Sequence, residues 1–141
     1  MSQELQQMLD TYFGIVKQVS RLLDFAEKDV TLQEIRIIEF VSEAGEISMG
    51  NLSEKFPLPA STATRYVDRL VRRGYLDRKR PKNDRRRVLL KISDKGLKLL
   101  ARRNEVRNKF FLRMFSKLTI EEVDYLSRIF QKLMVDPNFV K

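Results

Sequence analysis

The sequence predicts a mainly α-helical fold that carries one small β-hairpin. Apolar residues recur at helical spacing along most of the chain. After Gly74 the apolar pattern changes from a helical period to alternation, which favours strands. Turn-forming residues at 81–84 separate the two strand-like stretches. Because 141 residues are about the length of one domain, we expect a single domain over 1–141.

Three helices are predicted before the first proline. The spacing of apolar residues predicts the first helix over 3–26. Thr31 and Glu34 have the spacing of a capping box, so a second helix begins there. Gly45 suits the left-handed position after its last turn. Ser48 is expected to cap a short third helix.

A fourth helix is predicted over about 59–73, because Pro59 can start a helix and Gly74 can stop one. Its inner stripe is expected to contain Ala60, Ala63, Val67, Leu70 and Val71. Its outer face is expected to contain Ser61, Thr62, Arg65, Asp68, Arg69 and Arg72. Since the first residues of the outer face are small and hydroxylated, the helix backbone can approach a partner closely.

A two-stranded hairpin with a basic tip follows, with strands expected over 76–80 and 87–92. Val88, Leu90 and Ile92 alternate with other residues, which predicts a strand with one buried face.

Two further helices are predicted after the hairpin. Ser93 starts a long helix that ends near residue 116. Thr119 and Glu122 form a second capping box, which opens the last helix. One face of the last helix carries Val123, Leu126, Ile129, Phe130 and Leu133.

The positive charge of the chain is concentrated in one segment. The whole chain has 28 Lys and Arg against 19 Asp and Glu, a formal net charge of +9. Residues 55–91 alone have a net charge of +10, and the rest of the chain has a net charge of −1. A concentration of this kind is typical of a surface that binds a polyanion.

Three short helices and a hairpin predict a winged helix-turn-helix over 30–96, in which the fourth helix is the recognition helix. Arg65 and Arg69 lie one turn apart and can reach base edges or phosphates from the major groove. Arg72 lies on the same predicted face. For this helix taken alone, an ordinary solvated face with arginines is the alternative.

The wing, over 77–91, is predicted to be a second DNA contact. Its basic residues are Arg78, Lys79, Arg80, Lys82, Arg85, Arg86 and Arg87. A thin hairpin tip can enter a minor groove, whose negative potential attracts arginine. Asp84 would repel phosphate, so we expect it to pair with a neighbouring arginine and hold the tip in shape. Turn formation after Asn83 is the alternative role for Asp84.

These motifs resemble the MarR family of bacterial transcription regulators. The resemblance covers nearly the whole chain, and its matching runs are 61–76 and 84–96. The Asp-Arg-Arg wing, followed by apolar residues and Ser-x-x-Gly, is the more specific part. Pro57 and Pro59 depart from the family pattern, which often has Gly and then Ser there, so a side-chain cap is lost.

The resemblance implies a homodimer in which the terminal helices, here 1–26 and 97–141, intertwine and each subunit offers one winged lobe. It implies a repressor that releases DNA when a small aromatic or anionic effector binds. A two-fold dimer is expected to read an inverted-repeat operator. The sequence does not identify the effector, its pocket or the operator.

The resemblance also implies roles for individual residues. Ser61, Thr62, Thr64 and Arg65 match positions that face the major groove or its phosphates. Arg86 matches the arginine that enters the minor groove, and Asp84 matches the residue that braces the wing. The complete predicted DNA-binding set is Ser61, Thr62, Thr64, Arg65, Arg69, Arg72, Arg85, Arg86 and Arg87.

Dimerisation is also expected from the residues themselves. A winged lobe does not need all the large apolar side chains that the outer helices carry. These are Tyr12, Phe13, Phe110, Phe111, Met114, Phe115, Phe130 and Phe139. A second subunit would bury them, and two-fold dimers are the commonest arrangement. A core within one chain is the alternative.

Other classes of function are disfavoured. The absence of Cys and His removes disulfides, thiolate zinc sites and Ser-His-Asp triads, so we expect no metal and no cofactor. The five glycines form no phosphate loop and no nucleophile has a base beside it, so we expect no enzyme. The longest stretch without a charged residue is 56–64, so we expect no membrane span. The absence of cysteine fits a cytoplasmic protein.

Two alternative functions stay open. A non-specific or architectural nucleic-acid binder would have an affinity that depends on salt but hardly on sequence. A protein-interaction module built on the winged fold would have little affinity for DNA, and the +10 segment argues against it.

Overall fold

The computed structural model describes residues 2–26 and 28–134. Its elements are α1 (Gln3–Ala26), α2 (Leu32–Ala44), β1 (Glu46–Ser48), α3 (Met49–Lys55), α4 (Ala60–Arg72), β2 (Leu76–Lys79), β3 (Leu89–Ile92), α5 (Asp94–Phe115) and α6 (Ile120–Met134). This order confirms the mainly helical class with a winged lobe. The chain forms two compact units, residues 1–106 and 107–141.

The predicted hairpin is present, since β2 pairs antiparallel with β3, and a third strand that the prediction lacked, β1, completes a three-stranded sheet. β3 lies in the centre and pairs antiparallel with both β1 and β2. β1 could not be predicted from the sequence, because three residues are too few to show alternation. Ile47 is its buried residue and lies opposite Leu90. Both hairpin strands are shorter than expected, so residues 80–88 form a loop, called the wing loop below.

The core of the first unit lies where α2, α4 and the sheet meet. Its least exposed large apolar residues are Ile35, Ile37, Ile38, Val41, Leu52, Val67, Leu70, Leu76, Leu90 and Leu99. Each such side chain contributes about 1.5–3 kcal/mol when it leaves water. The core therefore fixes one face of α4 against α2 and the sheet.

The predicted helix caps are present. Thr31 and Glu34 form a reciprocal capping box at the start of α2. The Ser48 hydroxyl accepts a hydrogen bond from a backbone N–H in the first turn of α3, at 3.1 Å. In the second box, at the start of α6, the Thr119 N–H donates to the Glu122 carboxylate at 2.8 Å. Local sequence therefore determines where these helices begin.

The start of α4 differs in one detail from the prediction. Pro59 is the N-terminal cap residue and supplies no side-chain hydrogen bond, as expected. Ala60 was assigned to the inner stripe, but the structure leaves it exposed. The reason is that Ala60 is the first helical residue, and the buried stripe begins only at Ala63.

The end of α4 is a Schellman motif. The Gly74 N–H donates to the Val71 carbonyl at 3.0 Å, and the Tyr75 N–H donates to the Leu70 carbonyl at 2.9 Å. Gly74 has φ +78°, a conformation that residues with a side chain rarely adopt. This motif stops the helix and sends the chain into β2.

Ser93 and Gly96 join the base of the wing to α5. The Ser93 hydroxyl donates to the Gly74 carbonyl at 2.5 Å and accepts from the Gly96 N–H at 3.1 Å. A side chain at Gly96 would place its Cβ 2.4 Å from the Tyr75 carbonyl oxygen. The Ser-x-x-Gly pattern therefore allows α5 to start in contact with the chain that leaves α4.

The second unit contains the end of α5 and all of α6, and α6 has no buried residue. The Phe110 and Phe111 rings meet edge to face at 5.5 Å, and Phe111 stacks on Phe115 at 5.7 Å. Residues 135–141, with the predicted dimer residue Phe139, lie outside the described residues. In the part of the chain that the structure describes, no helix is long and apolar enough to cross a membrane.

Candidate nucleic-acid interface

The outer face of α4 is polar and basic. Ser61, Arg65 and Arg72 are exposed, on the side of the helix away from the buried Ala63 and Leu70. Arg65 and Arg72 are seven residues apart, so they lie two turns apart on the same face. This face can present hydroxyl and guanidinium donors to one partner.

The two threonines of α4 lie beside this face rather than at its centre. Thr62 is half-buried, and Thr64 is exposed. The Thr64 hydroxyl donates to the Ala60 carbonyl of its own helix at 2.9 Å. Because that donor is already used, the Thr64 oxygen acts towards a partner mainly as an acceptor.

Asp68 joins α4 to the wing. Its carboxylate pairs with the Arg78 guanidinium of β2 through Oδ1 and Nη2. The pair holds the β2 strand of the wing beside α4. It also occupies Arg78, which is therefore less available to a nucleic acid than the arginines of the wing loop.

Arg69 does not lie on the open outer face where sequence analysis placed it. It is half-buried beside α2, where its Nε atom is 2.7 Å from the Glu34 carboxylate. Its guanidinium lies over the Tyr66 ring, 5.1 Å from the centroid. The helical period explains the difference, since Arg69 is rotated from Arg65 towards the α2 side of α4. Its DNA contact stays a prediction.

The wing loop presents arginines in a row. Arg85, Arg86 and Arg87 are all exposed, and none of them pairs with a carboxylate among the described residues. At the tip, the Asp84 carboxylate accepts a hydrogen bond from the backbone N–H of Arg86 at 3.1 Å. The expectation that Asp84 pairs with an arginine side chain was therefore wrong. Asp84 instead stabilises the turn by its hydrogen bond to the backbone, which is the alternative role of turn formation given above.

Arg73 of the +10 segment, and Lys95 just after that segment, make contacts within the protein. The Arg73 guanidinium lies 5.5 Å from the Tyr75 ring centroid, and the Lys95 amino group lies 4.4 Å from it. Lys95 also donates to the Arg73 carbonyl at 2.8 Å. The Arg73 side chain donates to the Asp29 carbonyl. These contacts fix the end of α4 and the start of α5.

Glu34 is the site residue whose role sequence analysis did not foresee. Its capping-box position was recognised, but the carboxylate is also within 2.7 Å of Arg69 and 3.8 Å of Arg73. No local pattern could reveal these pairs, because they join residues 35 and 39 positions apart that meet only when α4 packs on α2.

A three-stranded winged lobe with a basic helix face and a basic loop defines a class of protein, the winged-helix DNA-binding regulators. A MarR family model matches residues 28–87. The chain is 30% identical over 115 residues to the HTH-type transcriptional repressor IacR of Pseudomonas putida, covering 82% of this chain and 68% of that protein. The chain belongs to the MarR family of winged-helix transcriptional regulators.

Two further comparisons cover more of the chain. The HTH-type transcriptional regulator YpoP of Bacillus subtilis is 28% identical over 134 residues, which is 94% of this chain and 93% of that protein. The fold is similar to that of Streptococcus pneumoniae FabT in complex with DNA, with a TM-score of 0.70 at 21% identity over 94% of each chain. YpoP and IacR are therefore both relatives of the HTH-type transcriptional regulator class.

Proposed function

We propose that this protein is a dimeric repressor that binds double-stranded DNA in a sequence-specific manner. In this proposal α4 lies in the major groove, and residues 77–91 lie at the minor groove. One observation carries it. Exposed arginines lie on α4 and on the wing loop, and the Asp68–Arg78 pair joins α4 to β2, the strand that leads into that loop. The relative FabT, which has the same fold, was solved in complex with DNA.

The two elements have different tasks in this proposal. Arg65 reads base edges, and Ser61, Thr62 and Thr64 contact bases or nearby phosphates at the start of α4. The lack of a side-chain cap at Pro59 leaves first-turn N–H groups for a phosphate. The phosphate contacts of the helix are assigned to Arg69 and Arg72.

In the wing loop, Arg86 enters the minor groove, and Arg85 and Arg87 contact the flanking backbone. Minor-groove width and potential depend on sequence, so this contact adds specificity without a base-specific hydrogen bond. Asp84 supports the contact by holding the backbone of Arg86 at the tip.

Dimerisation is supported by apolar side chains that the described chain leaves in solvent. On α1 these include Met8, Tyr12 and Phe13, and on α6 they include Tyr125, Phe130 and Leu133. A second subunit that covered them would present two lobes to an inverted-repeat operator. We also propose release by a small aromatic or anionic effector, and action in the cytoplasm, where bacterial DNA lies.

Selection from random duplex DNA at about 150 mM salt tests the proposal, because at that salt weak non-specific binding is suppressed. We expect enrichment of an inverted repeat with half-sites about 10 base pairs apart, or a multiple of that spacing. Retained DNA without enrichment would support the architectural alternative. No retained DNA would contradict both DNA-binding functions.

A further inference from the structure

Glu34 is a charged residue at an unusual depth, since it is only 1% exposed. Carboxylates are almost never fully buried unless they are paired. Both oxygens of Glu34 have partners: Oε2 accepts from the Thr31 N–H at 2.8 Å and lies 3.8 Å from Arg73, and Oε1 lies 2.7 Å from Arg69 Nε. The contact with Arg69 is an ion pair and lacks the straight geometry of a hydrogen bond.

A second capping box in the same chain shows that capping does not require this burial. Glu122 accepts from the Thr119 N–H at the same 2.8 Å distance, yet Glu122 is exposed. The local chemistry of the two boxes is equal. The burial of Glu34 therefore comes from the recognition helix that packs over it, and its second oxygen faces Arg69 of that helix.

The guanidinium of Arg69 is buried at its Nε edge and exposed to solvent elsewhere. Its Nε atom is buried against Glu34, although 43% of the side chain is exposed. The exposed part therefore lies in other atoms of the side chain. The Tyr66 ring supports the guanidinium at 5.1 Å. Within the described chain, the two terminal amino groups of Arg69 donate no hydrogen bond.

We propose that Glu34 is a positioning residue for DNA binding, which holds the Arg69 guanidinium so that its free amino groups meet a backbone phosphate. The inference rests on the proposed DNA-binding function and deepens it. A free arginine must give up many rotamers when it binds, whereas an arginine already fixed by a carboxylate and a ring gives up fewer. Glu34 thereby contributes to affinity without touching DNA.

The variant Glu34→Gln tests the inference. Glutamine keeps the side-chain length and can keep the capping box, but it removes the charge that holds Arg69. We expect weaker binding to all duplexes, by about tenfold, and a salt dependence of log K that is shallower by about one unit, because one phosphate contact is lost. Fluorescence anisotropy across a salt series measures both quantities.

Glu122→Gln is the matched control, because it changes the same capping-box position at an exposed helix start. We expect its affinity and salt slope to equal those of the wild type. A general loss of helix capping would affect stability in both variants. Only the loss of a positioned phosphate contact changes the salt slope in one of them.

A double-mutant cycle with Arg69→Ala tests the pair directly. We expect Arg69→Ala to cost little further affinity in the Glu34→Gln background, since both changes remove the same contact. Arg69→Lys keeps the charge but has no Nε, and we expect it to lose affinity as Arg69→Ala does. It tests the inference even if Glu34→Gln does not fold.

Wild-type affinity and salt slope in a folded Glu34→Gln, tighter binding by it, or additive losses in the cycle would each overturn the positioning role. Wild-type affinity and salt slope in Arg69→Lys would also overturn the positioning role. These results leave the proposed function intact, because the wild type still binds DNA. A wild type without affinity for any duplex would instead overturn the proposed function and this inference together.

Discussion

Arg86 combines a fixed backbone with a free side chain. Its N–H donates to Asp84, while its guanidinium is exposed and pairs with no described carboxylate. The same turn holds Arg87, whose N–H donates to the Asp84 carbonyl at 3.3 Å. A residue arranged in this way can enter a groove without a large loss of loop entropy on binding.

We expect Arg86→Ala to weaken binding to the selected site by about 1–3 kcal/mol, if Arg86 reads the minor groove there. Arg86→Lys retains the charge but not the planar head group, so it separates electrostatic attraction from groove recognition. Anisotropy titrations of the selected duplex and of a scrambled duplex measure the difference. Unchanged affinity of Arg86→Ala for the selected site would remove this role.

Gly96 is required by close packing and not by its own backbone angle. A Cβ there would lie 2.4 Å from the Tyr75 carbonyl and 2.7 Å from Ile92 Cγ1. We expect Gly96→Ala to lower the free energy of unfolding by about 1–3 kcal/mol, as measured by urea denaturation. Gly50→Ala is the control, because its nearest new neighbour is the Ser48 hydroxyl at 4.0 Å. Equal stability of the two variants would contradict the packing explanation.

At the scale of elements, hydrogen bonds and ion pairs set the direction of α4. The Schellman motif ends the helix, and Ser93 joins that end to α5. Glu34 of α2 pairs with Arg69 of α4, and Asp68 of α4 pairs with Arg78 of β2. The buried stripe alone would allow the helix to roll or slide. The polar contacts on both sides restrict that freedom, so the outer face keeps one orientation relative to the wing.

The Ser93 hydroxyl is the connection most easily tested. Ser93→Ala removes a helix cap and leaves the Gly74 carbonyl without its donor, so we expect a loss of about 1–2 kcal/mol in unfolding free energy. Ser48→Ala removes only an exposed cap, whose bond length is 3.1 Å, and we expect a smaller loss. Thermal and urea unfolding compare the two. A larger loss in Ser48→Ala would argue against the connecting role of Ser93.

At the scale of the whole molecule, charge and apolar surface lie in different segments. The +10 charge lies within 55–91, whereas exposed large apolar residues are frequent on α1 and α6. This separation agrees with the proposal that residues 55–91 bind a polyanion and that the outer helices contact a second subunit.

We expect the wild type to sediment as a dimer, at twice the 16.7 kDa chain mass. Phe130 is 50% exposed in the single chain, so Phe130→Asp removes no side chain from the core of the subunit. A charge at this position would be buried in the proposed dimer interface, so the variant should dissociate the dimer. Leu32→Asp is the control, because Leu32 is 56% exposed but belongs to the winged lobe. Sedimentation velocity and circular dichroism report assembly and helix content. A dimeric Phe130→Asp would exclude Phe130 from the interface.

Much of the fold could be predicted from short-range patterns. The two capping boxes, the Ser48 cap and Gly74 placed the helix boundaries within about a residue, because caps act over three or four positions. β1 could not be predicted, since its three residues become a strand only by pairing with β3. Ala60 and Arg69 were misplaced because helical spacing indicates relative angles but not which neighbouring element covers each side.

The helix starts and stops, the segment that carries the positive charge, and the resemblance to the family could all be read from the sequence. Each of these depends on residues that are near one another in the chain. The packed structure was needed to reveal that Glu34 is buried beneath Arg69 and that Asp68 pairs with Arg78. Such pairs form only when separate elements pack against each other, and local spacing does not encode that packing.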